Sequence, residues 1–187
     1  MTRIGITGSI ASGKTSVGKI ITFKKGPFFS ADEAVKKLYN NLSLKNKISK
    51  KLKFRSSTNF KIELKKSVIK NPKKLKILEK IMHPLVRKKM FTFLKKNKNK
   101  KYVFCEIPLL IESKLTQYFD VIILVRSKKK VRLKRFLKKG GDFKLFNLLN
   151  SLQLKESKKT IYCDYIIVNN TSLSFLRKHS LNIMNNI

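Results

Sequence analysis

Tryptophan is absent from the 187 residues, and cysteine (2), proline (4) and glycine (7) are scarce. Two cysteines are too few for a disulfide scaffold. Cys105 and Cys163 both lie in apolar, strand-like runs and read as reduced core thiols. Low Pro and Gly exclude a collagen-like or linker-dominated chain, and 42% hydrophobic residues exclude disorder. No apolar run approaches the roughly 18 residues of a membrane span; the longest candidate, Val121 to Val125, is strand-sized. A strand-like segment follows Met1 directly, so a cytoplasmic protein without a signal peptide is expected. Acidic groups are few: ten Asp and Glu face 45 Lys and Arg, for a net charge of +35. Candidates for a catalytic base or a metal-binding carboxylate are correspondingly few.

So large a basic excess ordinarily suggests a nucleic-acid partner. Here it is nearly all lysine, spread along the whole chain among many Asn and Ile residues, which share A/T-rich codons. Base composition accounts for it without a binding role. Incidental attraction of polyanions follows from the charge alone. Aromatic residues stand mostly at core-like spacings rather than on a stacking face, which disfavours a dedicated nucleic-acid binder.

Short β-branched runs alternate with Lys-rich stretches of helical period. Arg3 to Thr7, Pro27 to Ser30, Tyr102 to Glu106, Val121 to Val125 and Tyr165 to Val168 read as five strands. Runs that are apolar throughout and separated by helical segments predict an α/β fold with a parallel sheet covered by helices on both faces. Leu38 to Asn97 carries no convincing strand; Leu64, Val68, Leu75, Leu78, Ile81 and Met82 recur at helical spacing, interrupted at Asn71-Pro72. This stretch reads as a helical insertion. A second helical stretch, about Lys128 to Lys159, contains Gly140-Gly141, a joint suited to a closing lid. The resulting division is a core of 1–37, 98–127 and 160–187, an insertion of 38–97 and a lid of 128–159.

Gly8-Ser9-Ile10-Ala11-Ser12-Gly13-Lys14-Thr15 satisfies the phosphate-loop pattern G-x-x-x-x-G-K-[ST], with a strand before it and a helix-compatible segment from Ser16 to Ile21 after it. Glycines let the backbone curl so that successive N–H groups converge on an anion, and the helix adds its positive end. Lys14 reaches the β/γ-phosphates, and the Thr15 hydroxyl is placed to hold Mg²⁺. In a short chain lacking the Asn-Lys-x-Asp segment of GTPases, this loop indicates a small ATP-using kinase. Asp32 follows the second strand, at the sheet end where α/β ligands bind, and suits either a catalytic base or a helix N-cap. Glu106 ends the third strand, where a carboxylate holds Mg²⁺-bound water in related loops. Pro108 ends that strand and lets Leu109-Leu110 start a helix, leaving Glu112 as a functional acid or a first-turn dipole partner. His83 and His179 lack partners at metal-ligand spacing, so zinc is not expected. Arg132, Arg135, Lys138 and Lys139 lie on the lid helix, where one or two cations suit ATP phosphates.

Taken together, these segments resemble the dephospho-CoA kinase family over nearly the whole chain. Ile6 to Thr15 resembles the family opening LTGGIGSGKS, and Ser30-Ala31-Asp32 its D/S-A-D element. Leu78 to Val86 resembles LE-x-I-x-HPLV, and Glu106 to Glu112 resembles D-I-PLLFE. Gln153, Lys159 and Asp164 to Asn170 resemble Q…K…AD-x-VI-x-NNG. The resemblance implies a P-loop kinase fold with a helical domain for the CoA moiety and a helical lid, using ATP and Mg²⁺. It implies transfer of the ATP γ-phosphoryl group to the ribose 3'-hydroxyl of dephospho-CoA. Asp32 is then the base and Lys14 the phosphate-binding lysine. Gly8 to Ser16, Arg135 and Lys139 are the ATP contacts, Thr15 and Glu106 the Mg²⁺ site, and Lys61, His83, Pro84, Leu109 and Glu112 line the substrate side. Other small kinases, for nucleoside monophosphates or shikimate, use Arg-rich acceptor sites unlike this insertion. Lys139 and Lys61 replace expected arginines and lose the bidentate fork suited to phosphate. The insertion is also shorter than usual, and Thr171 replaces a glycine.

Overall fold

The computed structural model describes residues 1–54 and 59–187. Five strands form one sheet: β1 (Thr2–Thr7), β2 (Phe28–Ser30), β3 (Tyr102–Glu106), β4 (Val121–Arg126) and β5 (Tyr165–Val168). Their order is β2-β3-β1-β4-β5 and every pairing is parallel. Register brings Ile6 and Ser30 opposite Glu106, so three strand ends meet at the carboxyl edge, where ligands of open α/β sheets bind.

The chain divides into two units, Met1–Ser30 with Leu94–Ile187, and Ala31–Phe93. In the first, α1 (Lys14–Thr22) and α9 (Leu173–Asn185) cover one sheet face. Ile4, Ile6, Phe104, Ile123, Val125 and Ile167 of the strands pack there with Val17, Ile21, Leu176 and Ile183 of the helices. Each fully buried Ile or Leu contributes about 1.5–3 kcal/mol, so this cluster outweighs any local propensity. Gly5 points the other way, where Leu110 and Phe119 press so closely that an added Cβ would stand 2.6 Å from Leu110 Cδ1.

The stretch from 128 to 159 is three helices: α6 (Lys129–Lys138), α7 (Phe143–Ser151) and α8 (Glu156–Thr160). Gly140 turns left-handed at φ 78°, and Asp142 caps α7 by accepting from Leu145 N at 2.8 Å. Phe136 packs against the fully buried Phe146, with ring centroids 5.6 Å apart, and holds α6 on α7.

Two local expectations need correction. No helix starts at Leu109-Leu110; residues 108–114 are a series of turns, followed by a 3₁₀ turn at Thr116–Tyr118. Leu110, Ile111 and Leu115 are all buried, and this demand bends the backbone until Lys114 lies left-handed at φ 54°. Cys163 lies ahead of β5 rather than inside a strand, half-buried, its thiol donating to Lys159 O at 3.1 Å. Cys105 sits in β3, fully buried, and neither thiol is in a disulfide.

The second unit is helical: α2 (Ala31–Leu38), α3 (Leu42–Leu52), α4 (Phe60–Lys70) and α5 (Lys73–Lys96), the last running on into the first unit. Leu64, Val68, Leu75, Leu78 and Met82 are buried, as their spacing predicts, while Ile81 is only half-buried. The break at Asn71-Pro72 is real; Asn71 Oδ1 accepts from Lys73 N at 3.1 Å and starts α5. Pro84 lies inside α5, costing a backbone hydrogen bond. Burial of Leu78 and Met82 before it and Met90 after it carries the helix through.

Candidate active site

β1 delivers the chain into the phosphate loop, and α1 begins at Lys14. Between them the backbone doubles back: Ser12 N donates to Ser9 O at 3.1 Å, Ala11 is left-handed at φ 57°, and Gly13 caps α1 at φ 99°. Lys14 is buried, its Nζ donating to Ser9 O at 3.1 Å. A phosphate entering the cradle offers that ammonium a stronger, charged acceptor.

Thr15 Oγ1 donates to Glu106 Oε1 at 2.7 Å. Glu106 is 1% exposed, and its Oε2 is buried without a hydrogen-bond partner. A hydroxyl beside an unsatisfied carboxylate oxygen suits a hard, oxygen-loving divalent cation. Mg²⁺ is commonly held by one or two protein oxygens together with substrate phosphates. Among the described residues no cluster of three His, Cys, Asp or Glu offers a rival metal site.

Side chains distant in sequence support the loop. Asn169, just past β5, donates from Nδ2 to Ser12 O at 2.8 Å. Arg135 on α6 donates to Asn169 Oδ1 at 3.1 Å and Asn169 O at 3.0 Å, and reaches Ser12 O at 3.5 Å. Arg132, one turn earlier and 6% exposed, donates to Ser127 O at 3.0 Å, Asn150 Oδ1 at 2.8 Å and Ile10 O at 3.4 Å. Burial lowers the pKa of its guanidinium, and Glu156 partly offsets this. Gln153 Oε1 accepts from Ile10 N at 2.8 Å. Glu112 Oε1 accepts from Leu154 N at 3.0 Å and pairs with the fully buried Lys159 at 2.8 Å. Arg135, Thr15, Glu106 and Lys14 are therefore brought together with the loop as read from the sequence. Gln153 and Asn169 carry no assigned role there. Their partners lie 143 and 157 residues away, and only their place in the resembling segments marks them.

The remaining candidates are dispersed. Ser16 is exposed on α1. Asp32 is exposed in the first turn of α2, two residues past the end of β2, rather than in the N-cap position before a helix. Lys61 is exposed on α4; on α5 His83 is half-buried and Pro84 exposed. Leu109 is half-buried in the turns after β3, and Lys139 is exposed where α6 ends. The helical unit also holds an open cleft of about 500 Å³ lined by Lys53, Lys66, Lys70, Lys74, Ser67 and Asn71, none of them among these candidates.

A sequence model of dephospho-CoA kinase matches residues 2–174. The chain belongs to the dephospho-CoA kinase family. A dephospho-CoA kinase of Rickettsia typhi is 31% identical over 188 residues, covering 100% of this chain and 98% of the relative. Among solved structures, a Thermus thermophilus protein superposes with a TM-score of 0.76 at 24% identity, over 100% of this chain and 97% of that one. Dephospho-CoA kinase from Campylobacter jejuni superposes with a TM-score of 0.64 at 24% identity, over 99% and 96% of the two chains. At that identity the structures speak for the fold alone, a five-stranded parallel sheet with helices around it. Family membership makes the chain an ATP-dependent kinase with a hydroxyl acceptor. No helix among the described residues is long and apolar enough to cross a membrane.

Proposed function

We propose that this kinase transfers the γ-phosphoryl group of ATP to the ribose 3'-hydroxyl of dephospho-CoA, giving CoA and ADP. Family membership supports the substrate. The observation that carries the chemistry is the Thr15–Glu106 pair at the start of α1, beside a buried loop lysine. The loop amides and the N-terminus of α1 bind the β- and γ-phosphates, and Lys14 moves from Ser9 O onto them. Arg135, fixed by Asn169 beside Ser12, brings a second cation to the loop, and Lys139 at the end of α6 adds charge on lid closure. Thr15 and Glu106, together with the phosphates, would hold Mg²⁺, which would supply charge neutralisation there.

Asp32 is the base: its carboxylate accepts the proton of the 3'-hydroxyl. The new P–O bond to the 3'-oxygen forms as the γ-phosphorus bond to the β,γ-bridging oxygen breaks, and ADP leaves. Asp32 follows the strand whose end pairs with Glu106, which supports this role. Lys61, His83, Pro84, Leu109 and Glu112 shape the acceptor side. Two thiols outside any disulfide suit a reducing cytoplasm.

The test is a coupled ADP-release assay with dephospho-CoA, AMP, CMP and shikimate as acceptors. Only dephospho-CoA should sustain turnover. Asp32→Asn should lower kcat by roughly 10²–10⁴-fold, the usual contribution of a general base, while ADP affinity stays within about twofold. Near-normal turnover of that variant, or equal use of shikimate, overturns the reading.

A further inference from the structure

The phosphate loop of this chain carries a residue its backbone does not favour. Ala11 adopts a left-handed conformation, φ 57°, in the turn between Ile10 and Ser12. For an alanine that conformation is about tenfold less populated than for a glycine. Such a backbone persists only where its surroundings over-determine it.

The neighbour of Ala11 is held on both its polar groups by side chains outside the loop. Ile10 N donates to Gln153 Oε1 at 2.8 Å, and Ile10 O accepts from Arg132 Nη1 at 3.4 Å. The same Arg132 nitrogen donates to Asn150 Oδ1 at 2.8 Å, so Asn150 and Gln153, from the end of α7 and the turn after it, act on the loop from one side. That segment is itself fixed, because Leu154 N donates to Glu112 Oε1, which pairs with the fully buried Lys159. On the far side of Ala11, Ser12 N closes onto Ser9 O.

We propose that Gln153 is a positioning residue for nucleotide binding: by holding the Ile10 amide it keeps Ala11 in the left-handed turn that shapes the cradle. Because the amide it binds adjoins the strained residue, its contribution depends on that residue being alanine. A glycine at 11 adopts the turn unaided and makes Gln153 largely dispensable. The proposal rests on the loop holding ATP phosphates, which ADP binding to the wild-type protein checks independently.

The experiment is a double-mutant cycle on the full chain, titrating ADP into wild type, Gln153→Met, Ala11→Gly and the double variant by calorimetry. Methionine keeps the length of Gln153 without the acceptor. Gln153→Met should weaken ADP about tenfold, roughly one net hydrogen bond, and raise the KM for ATP in step, with the KM for dephospho-CoA within about twofold. In the Ala11→Gly background the same change should cost about threefold or less. Additive costs overturn the link to Ala11. Unchanged or tighter ADP binding by Gln153→Met shows that the glutamine competes with phosphate and overturns the proposal. A loss shared equally by both substrates marks a purely structural residue and does so too. Should Gln153→Met fail to fold, Ala11→Gly alone still decides: it should bind ADP about two- to threefold more tightly, the part of the roughly tenfold strain that Gln153 leaves uncompensated, and weaker binding refutes the account.

Discussion

Gly13→Ala is the sharpest test of how the cradle is built. A Cβ on Gly13 would lie 2.0 Å from Asn169 Nδ2, and the residue is left-handed at φ 99°. The backbone penalty for alanine there is about 1–2 kcal/mol. The clash falls on a side chain only 5% exposed, so Asn169 has to swing out. It then loses its bonds to Ser12 O and from Arg135 Nη2, about 1 kcal/mol each. The sum, about 3–4 kcal/mol, corresponds to roughly 10²–10³-fold weaker ADP binding if the loop must recover its native shape to bind. Calorimetry with ADP, with circular dichroism to confirm folding, measures it. Two comparisons isolate the cause. Gly140 is also left-handed, at φ 78°, but among the described residues nothing lies within 4 Å of its added Cβ, so Gly140→Ala should pay only the backbone term in stability and leave ADP affinity alone. In an Asn169→Ala background the clash vanishes, and Gly13→Ala should cost only about tenfold. ADP binding within threefold of wild type for Gly13→Ala, or full additivity with Asn169→Ala, refutes the steric argument.

Lys159→Met should strand the Glu112 carboxylate in the interior, where breaking a buried pair costs about 3–5 kcal/mol, and lower Tm by about 10 °C or more in a fluorimetric melt; Glu112→Gln added to it should restore much of the loss. Stability should also respond to acid through Asp120, whose hydrogen bond and ion pair with Arg3 hold its carboxyl below the usual carboxylate range. A depressed native pKa stabilises the fold above the unfolded value, near 3.9, and the contribution fades as pH falls through the native value. Asp120→Asn should therefore flatten the decline of denaturant midpoint below about pH 4, and an unchanged slope counts against the pairing.

The parallel sheet was legible because each central strand is buried on both faces and so reads as a continuous apolar run, as Val121 to Val125 does. The phosphate loop was legible because its function is local: Gly13, Lys14 and Thr15 are adjacent, and the anion fixes their spacing. The helical insertion followed from a 3.6-residue repeat that survives even Pro84. Leu109-Leu110 misled because either a helix or a turn can bury Leu110, and the choice is made by its packing under Gly5. Cys163 misled because an apolar neighbourhood in sequence need not lie in a strand. The bracing of the loop by Gln153, Arg132 and Asn169 was not legible, since hydrogen bonds to backbone leave no periodicity and their partners are remote. That Asp32, Lys61, His83 and Pro84 belong to one unit and the loop to the other is likewise set by topology rather than by spacing.

The bond from Asn169 to Ser12 spans 157 residues, and the sheet order places the first strand between the third and fourth. A ribosome making this chain completes the phosphate-binding motif at Thr15, yet the Asn169 amide that secures it arrives only after the fifth strand. Nascent chains thus carry the motif in an unsecured form until all five strands have been made. Contacts this distant also favour slow, late acquisition of the nucleotide site during folding. The nucleotide cradle is completed only once the fifth strand has been made.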